Sequence, residues 1–130
     1  MNIETLHPLL ANHYGKQARA IDTGDGAAWA DSYTAGGTYD SPSYEQVFTG
    51  REELIGFGNS FPERSPNATH LVNNMHITEF TETTANVVLN YVIVSGEPGQ
   101  QCTILRTVTA FDQIDLREGQ PRIISRRIEF

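Results

Sequence analysis

The sequence predicts one α+β domain, and three observations carry that prediction. Apolar residues recur at helical spacing along the first segment. The later half falls into four Val-, Ile- and Thr-rich runs with turn-like separators. Helices come first and strands follow, rather than alternating. A chain of 130 residues makes one domain, 1–130, and buries enough surface for a single core without staples.

The elements follow in order. Ile3, Leu6, Leu9, Leu10, Tyr14, Ala18 and Ile21 mark the first helix, with Pro8 marking a break or first turn near its start. Gly24 and Gly26 end it, and Asp25 caps a short second helix that runs through Trp29. Gly36-Gly37 reads as a turn, residues 38–41 as a brief strand stopped by Pro42, and residues 43–49 as loop. Thr49 with Glu52 three residues on has the capping-box arrangement, opening a third helix to about Ser60 that Pro62 and Pro66 close. Residues 70–80, 84–95, 102–114 and 122–130 are strands of an antiparallel meander. Strands this long bend when helices cover one face, and a bent sheet wrapped around helices leaves a cavity at its mouth.

Composition narrows the function. With 16 acidic against 9 basic side chains the net charge is −7, which argues against nucleic-acid or anionic-membrane partners. The late arginines Arg122, Arg126 and Arg127 read as solvated or paired strand residues. Cys102 is alone, so no disulfide or cysteine-based metal site is expected, and its strand setting suggests a small buried hydrophobe. The N-terminus has no basic, apolar leader and no run approaches a membrane span, so a cytoplasmic protein is expected. No metal is expected either: His7 and His13 are six apart on the first helix, not at the i, i+4 spacing of two helical ligands, and the four histidines form no ligand set.

Short motifs carry a family resemblance. The stretch from Ala20 to Trp29, then Tyr39-Asp40-Ser41-Pro42, then Thr49-Gly50-Arg51-Glu52 resembles the opening of the nuclear transport factor 2 superfamily, and within it the SnoaL-like cyclases, dehydratases and isomerases. His70-Leu71-Val72-Asn73-Asn74 resembles the His-x-x-x-Asn opening of the second strand in many SnoaL-like and scytalone-dehydratase-like members. Phe111-Asp112-Gln113-Ile114 with Arg122-Ile123-Ile124-Ser125 resembles the last hairpin of ketosteroid isomerases. The resemblance implies a cone-shaped, strongly curved sheet with three N-terminal helices, a cystatin-like roll enclosing one pocket. It also implies a homodimer through the outer sheet face.

Set against ketosteroid isomerases, the general-base position falls at Ser41, with Asp40 just before it. The oxyanion-donating tyrosine falls near Gln17, and the acid that partners it near Asp112. Two of those three positions are altered, so a faithful ketosteroid isomerase is not expected. The dehydratase comparison fares better: His70 sits where those enzymes carry a catalytic histidine, and Asp22 where scytalone dehydratases carry a helix acid. Ile21 stands where a tyrosine precedes that acid. Arg106 and Asp112 mimic part of the Asp-Arg-Asp set of limonene epoxide hydrolase, but the spacing does not match.

Each candidate has a structural alternative. Strand alternation groups His70, Val72, Asn74 and His76 on one face. His70 is the candidate general acid/base or a strand-end hydrogen-bonder, while His76 reads as structural. Asp40 is the candidate assisting carboxylate or a turn Asp before Pro42. Asp22, at a helix C-terminus where the dipole disfavours its charge, reads as structural, pairing with Arg19 or turning a hydrogen bond inward. Asp112 and Arg106 share strand parity and form either a surface pair or an anchor for a polar substrate. Tyr14, Trp29, Tyr33, Tyr39, Phe57 and Tyr91 line an apolar cavity or plain core; Tyr14 is the phenol to test as a donor to an enolate. Asn74 or a tyrosine would supply an oxyanion donor.

The leading expectation is a cofactor-independent lyase, cyclase or isomerase acting on an apolar, cyclic or polyketide-like small molecule. His70 would move the proton and Asp40 assist. A non-catalytic ligand-binding cone and a scaffold subunit of the kind found in ring-hydroxylating dioxygenases are the rivals.

Overall fold

The computed structural model describes residues 2–130. Helix α1 (Ile3–Thr23) is followed by α2 (Gly26–Asp31), β1 (Tyr33–Asp40), β2 (Phe48–Thr49), α3 (Arg51–Arg64) and four strands: β3 (Ala68–Phe80), β4 (Thr84–Ser95), β5 (Thr103–Asp115) and β6 (Arg122–Glu129). They form one six-stranded sheet in the order β2-β1-β6-β5-β4-β3. The meander from β3 to β6 is antiparallel, whereas β1 runs parallel to β6, so the sheet is mixed and open.

Helix α1 keeps the predicted apolar face. Leu6, Leu10 and Tyr14 are fully buried and Ile21 nearly so. Asn2 and Thr5 close a reciprocal cap at its start, and Gly24 ends it in the left-handed conformation at φ 73°. Asp25 then caps α2 through the Ala28 N–H at 3.0 Å. Pro8 does not break α1. It lies on the exposed side, where the carbonyl it leaves unbonded is open to water.

The middle of the chain corrects the sequence reading. Gly36-Gly37 is not a turn but the interior of β1, at an irregularity in its register with β6 between Tyr33 and Thr38. The cap of α3 is Gly50, with no side-chain cap bond; the Thr49 N–H instead donates to Glu53 at 3.2 Å. Pro62 is carried within the last turn of α3. Cys102 is exposed just before β5, not buried.

Strand β3 holds the largest correction. Its register with β4 shifts between Asn73 and His76, and Asn74 adopts φ 53°. This is a β-bulge: one extra residue reverses the alternation, and asparagine tolerates the left-handed conformation. Ala68, His70 and Val72 turn inward before it, and Met75 and Ile77 after it. Asn74 and His76 therefore leave the face that holds His70.

The core lies between the inner sheet face and the helices. Leu89, Ala110, Ile114 and Ile123 from the sheet meet Leu6, Leu10, Leu54 and Phe57 from the helices. Among the described residues no helix is long and apolar enough to cross a membrane.

Candidate functional site

One end of this sandwich stays open. A cavity of about 280 Å³ lies between the second half of α1, α2, α3, the end of β1 and the inner faces of β3 to β6. One wall is aromatic. Trp29 packs on Phe57 with ring centroids 5.0 Å apart and on Tyr39 at 5.4 Å, and Tyr44 meets Phe57 edge-on at 5.2 Å.

His70 also lines the cavity, at the inward-facing start of β3. Its Nδ1 lies 2.6 Å from Asp22 Oδ1, and its backbone N–H donates to both carboxylate oxygens at 3.1 Å. An ionised carboxylate only accepts, so Nδ1 carries the proton of this bond and Nε2 is left as the ring's free nitrogen. The ring is wedged by Phe61 at 5.3 Å and by Tyr91, edge-on, at 5.9 Å. The histidine thus explains the awkward place of Asp22: three contacts to its carboxylate offset the helix dipole that opposes it.

The floor is a buried polar network. Arg126 on β6 pairs with its register partner Asp112 on β5 through two bonds, Nε to Oδ1 at 2.9 Å and Nη2 to Oδ2 at 2.8 Å. Tyr14 donates its hydroxyl to Asp112 Oδ2 at 2.7 Å. Nη2 of Arg126 also bonds the Tyr91 hydroxyl at 3.0 Å, which donates onward to Gln17 at 3.2 Å, and Gln17 donates to Ser32 at 2.7 Å. Burial works against the Arg126 charge, but Asp112 and the neighbouring hydroxyls outweigh it and hold the guanidinium protonated well above its usual range. Burial pushes the Tyr91 phenol up, and Asp112 adds to this against the pull of Arg126, so it stays protonated. Tyr14 is raised for the same first reason, and Tyr39 is pushed up to about 12 by burial.

The sequence-derived candidates separate cleanly. His70, Trp29, Tyr39, Tyr91 and Arg106 line the cavity. Tyr14 and Asp112 are buried behind its floor, their polar atoms committed to Arg126 and each other. Asp112 therefore pairs with Arg126 and not with Arg106, which reaches only the Ser43 hydroxyl at 3.4 Å. Asn74 is exposed beyond the bulge and bonds Asn90. Asp40 is exposed at the end of β1 and is not part of the cavity wall, because the strand turns Tyr39 and Ser41 inward on either side of it. The carboxylate that meets His70 is Asp22.

Asp22, read from the sequence as structural, meets His70, and Arg126 and Gln17, not among the candidates for the site, line the cavity. The charge at a helix C-terminus was the available signal for Asp22. For Arg126 the signal was absent, because its pairing with Asp112 depends on the β5–β6 register. Gln17 and Ser41, which align with altered isomerase positions, do line the cavity. Among the described residues no three His, Cys, Asp or Glu side chains gather where they would hold a metal ion.

With this geometry in place, the chain can be set beside known proteins. It matches the SnoaL-like domain over residues 10–127, and it belongs to that family. No curated protein matches it. Among solved structures it is similar to Aln2 from a Streptomyces species, at 20% identity over 99% of this chain and 92% of that one, with a TM-score of 0.84. A protein from Catenulispora acidiphila, solved in complex with S-DNPA, superposes at a TM-score of 0.82, with 22% identity over 97% of this chain and 93% of that one. An NTF2-like protein with a cystatin-like fold from Novosphingobium aromaticivorans superposes at 0.77, with 16% identity over 96% and 79% of the two chains. At these identities the likeness establishes the fold.

Proposed function

We propose that the protein is a cofactor-independent acid/base enzyme, a lyase, cyclase or isomerase acting on a compact cyclic, polyketide-like carbonyl compound. The observation that carries this reading is the His70–Asp22 pair, 2.6 Å apart on the wall of an aromatic cavity. Membership of a family that includes polyketide cyclases supports it, as does the small molecule held by the similar Catenulispora protein.

In this reading His70 Nε2 takes a proton from carbon beside a carbonyl, and Asp22 balances the imidazolium that forms. The electron pair moves onto the carbonyl oxygen. That oxygen gains charge near Arg126, whose fixed positive field needs no rearrangement. The imidazolium then returns its proton, either to another carbon, moving the double bond, or to a departing hydroxyl, releasing water. Attack of the enolate carbon on a second carbonyl would instead close a ring, the new alkoxide taking the proton from the imidazolium. Arg126, not Asn74 or a tyrosine, fills the donor role: Asn74 lies beyond the bulge, and the hydroxyl protons of Tyr14 and Tyr91 go to Asp112 and Gln17.

Proton abstraction is measurable without knowing the substrate. In deuterated water the protein should speed deuterium uptake beside the carbonyl of a bicyclic ketone such as 2-tetralone, followed by NMR. His70→Ala should lose roughly 10²–10⁴-fold of that rate, the usual span for a positioned acid/base. Equal exchange by the variant would remove His70 from the chemistry.

A further inference from the structure

Charge is distributed over the cavity in a way that proton transfer does not require. The chain carries 16 acidic side chains and a net charge of −7, yet among the described residues no Asp or Glu lines the cavity itself, Asp22 standing behind His70, whereas Arg64, Arg106 and Arg126 line it. Most arginines of this protein are neutralised locally. Arg51, Arg117, Arg122, Arg126 and Arg127 each meet a carboxylate, on Asp31, Asp115, Glu118, Asp112 and Glu129 respectively. Arg19, Arg64 and Arg106 have no carboxylate partner among the described residues, and of these three Arg64 and Arg106 line the cavity.

Both are held in place all the same. The Arg64 guanidinium lies 4.6 Å from the Phe57 ring centroid and donates to the Phe57 carbonyl at 3.2 Å. It is also bonded to the Ser60 hydroxyl. Arg106 lies 5.7 Å from the Phe130 ring centroid and reaches Ser43. Two exposed cations on opposite elements, α3 and β5, are thus laid against aromatic rings at the mouth of a cavity with apolar walls. Guanidinium groups in such a setting match a planar anion.

From this we infer that the natural ligand is a compact cyclic carboxylic acid, bound as its anion. The ring body sits between the Trp29 and Tyr39 wall and His70, and the carboxylate lies at the mouth between Arg64 and Arg106. The inference deepens the proposed function and rests on its premise that this cavity is the reaction site. A cavity of about 280 Å³ sits at the small end of ligand sites, which run from roughly 300 Å³ upward, and suits a compact ring system over a long chain. A carboxylate fits better than a phosphate: Arg64 lies in the last turn of α3, where the helix carbonyls oppose a doubly charged anion.

Three inert probes test this by isothermal titration calorimetry: 2-naphthylacetate, its neutral isostere 2-naphthylacetamide, and 2-naphthyl phosphate. The protein should bind the acid on the order of tenfold more tightly than the amide, the worth of one charge-assisted contact, and salt should narrow the gap. Arg64→Gln combined with Arg106→Gln should bring acid affinity down to that of the amide on the same variant; both positions are exposed, so the fold should persist. Equal affinity for acid and amide, a preference that survives the double variant, tighter binding of the phosphate, or no binding of any probe would each overturn the inference. His70→Ala should keep the acid preference. A protein that prefers the acid but never exchanges protons would refute the catalytic reading while leaving the ligand class intact.

Discussion

At the scale of single residues, the polar groups of this protein are placed where burial makes them consequential. Arg126 is the clearest case: a charged group almost wholly removed from water, which persists because Asp112 accepts two of its bonds and Tyr91 a third. His13 is the opposite case. Its Nε2 is buried without a partner among the described residues, and burial, with Arg126 nearby, lowers its pKa to about 4. An unfolded histidine protonates near pH 6.5. Between those values the unfolded chain binds a proton that the native state refuses, so the stability present above pH 6.5 is lost as pH falls toward 4. His13→Gln should remove roughly 3 kcal/mol of that acid sensitivity across the whole window. Urea melts of both proteins at neutral and mildly acidic pH measure it; parallel losses in the two would show that His13 carries no such linkage.

At the scale of elements, the close approach of α2 and α3 shapes the aromatic wall. A Cβ on Gly58 would lie 2.7 Å from the Gly26 Cα, and one on Gly26 would collide with the Ile55 carbonyl and the Asn59 side chain. That side chain accepts the Gly26 N–H at 2.9 Å. Gly26→Ala should therefore push the helices apart and cost roughly 1–3 kcal/mol, as overpacking generally does. Since Trp29 and Phe57 ride on these helices, near-UV circular dichroism should change with it; an unchanged spectrum and stability would contradict the tight contact. The elements also show what was legible beforehand. Helical spacing along α1, the Asp25 cap and the four long strands were all readable, because each is fixed by local pattern and turn chemistry. The bulge at Asn74 was not. Nothing in His70-Leu71-Val72-Asn73-Asn74 announces an extra residue, and one such residue exchanges the faces of everything after it. Gly36-Gly37 misled for the related reason that glycine serves a strand irregularity as readily as a turn.

At the scale of the molecule, a mixed open sheet wraps three helices around a hollow, with an imidazole on its wall, a buried guanidinium in its floor and two unneutralised arginines at its mouth. The family and the presence of a histidine-bearing pocket were legible in the sequence. The partner of His70 was not, since Asp22 and Asp40 both precede it by many residues and only the docking of α1 on β3 decides between them. Asp22 holds Nδ1 and so presents a bare Nε2 to the ligand. Nitrogen-15 NMR of the histidine rings, recorded with and without 2-tetralone, measures this directly. The account predicts that neutral His70 carries its proton on Nδ1 and that its Nε2 resonance moves when the ketone binds. A proton resident on Nε2, or an Nε2 resonance indifferent to a ketone shown to bind, would contradict it.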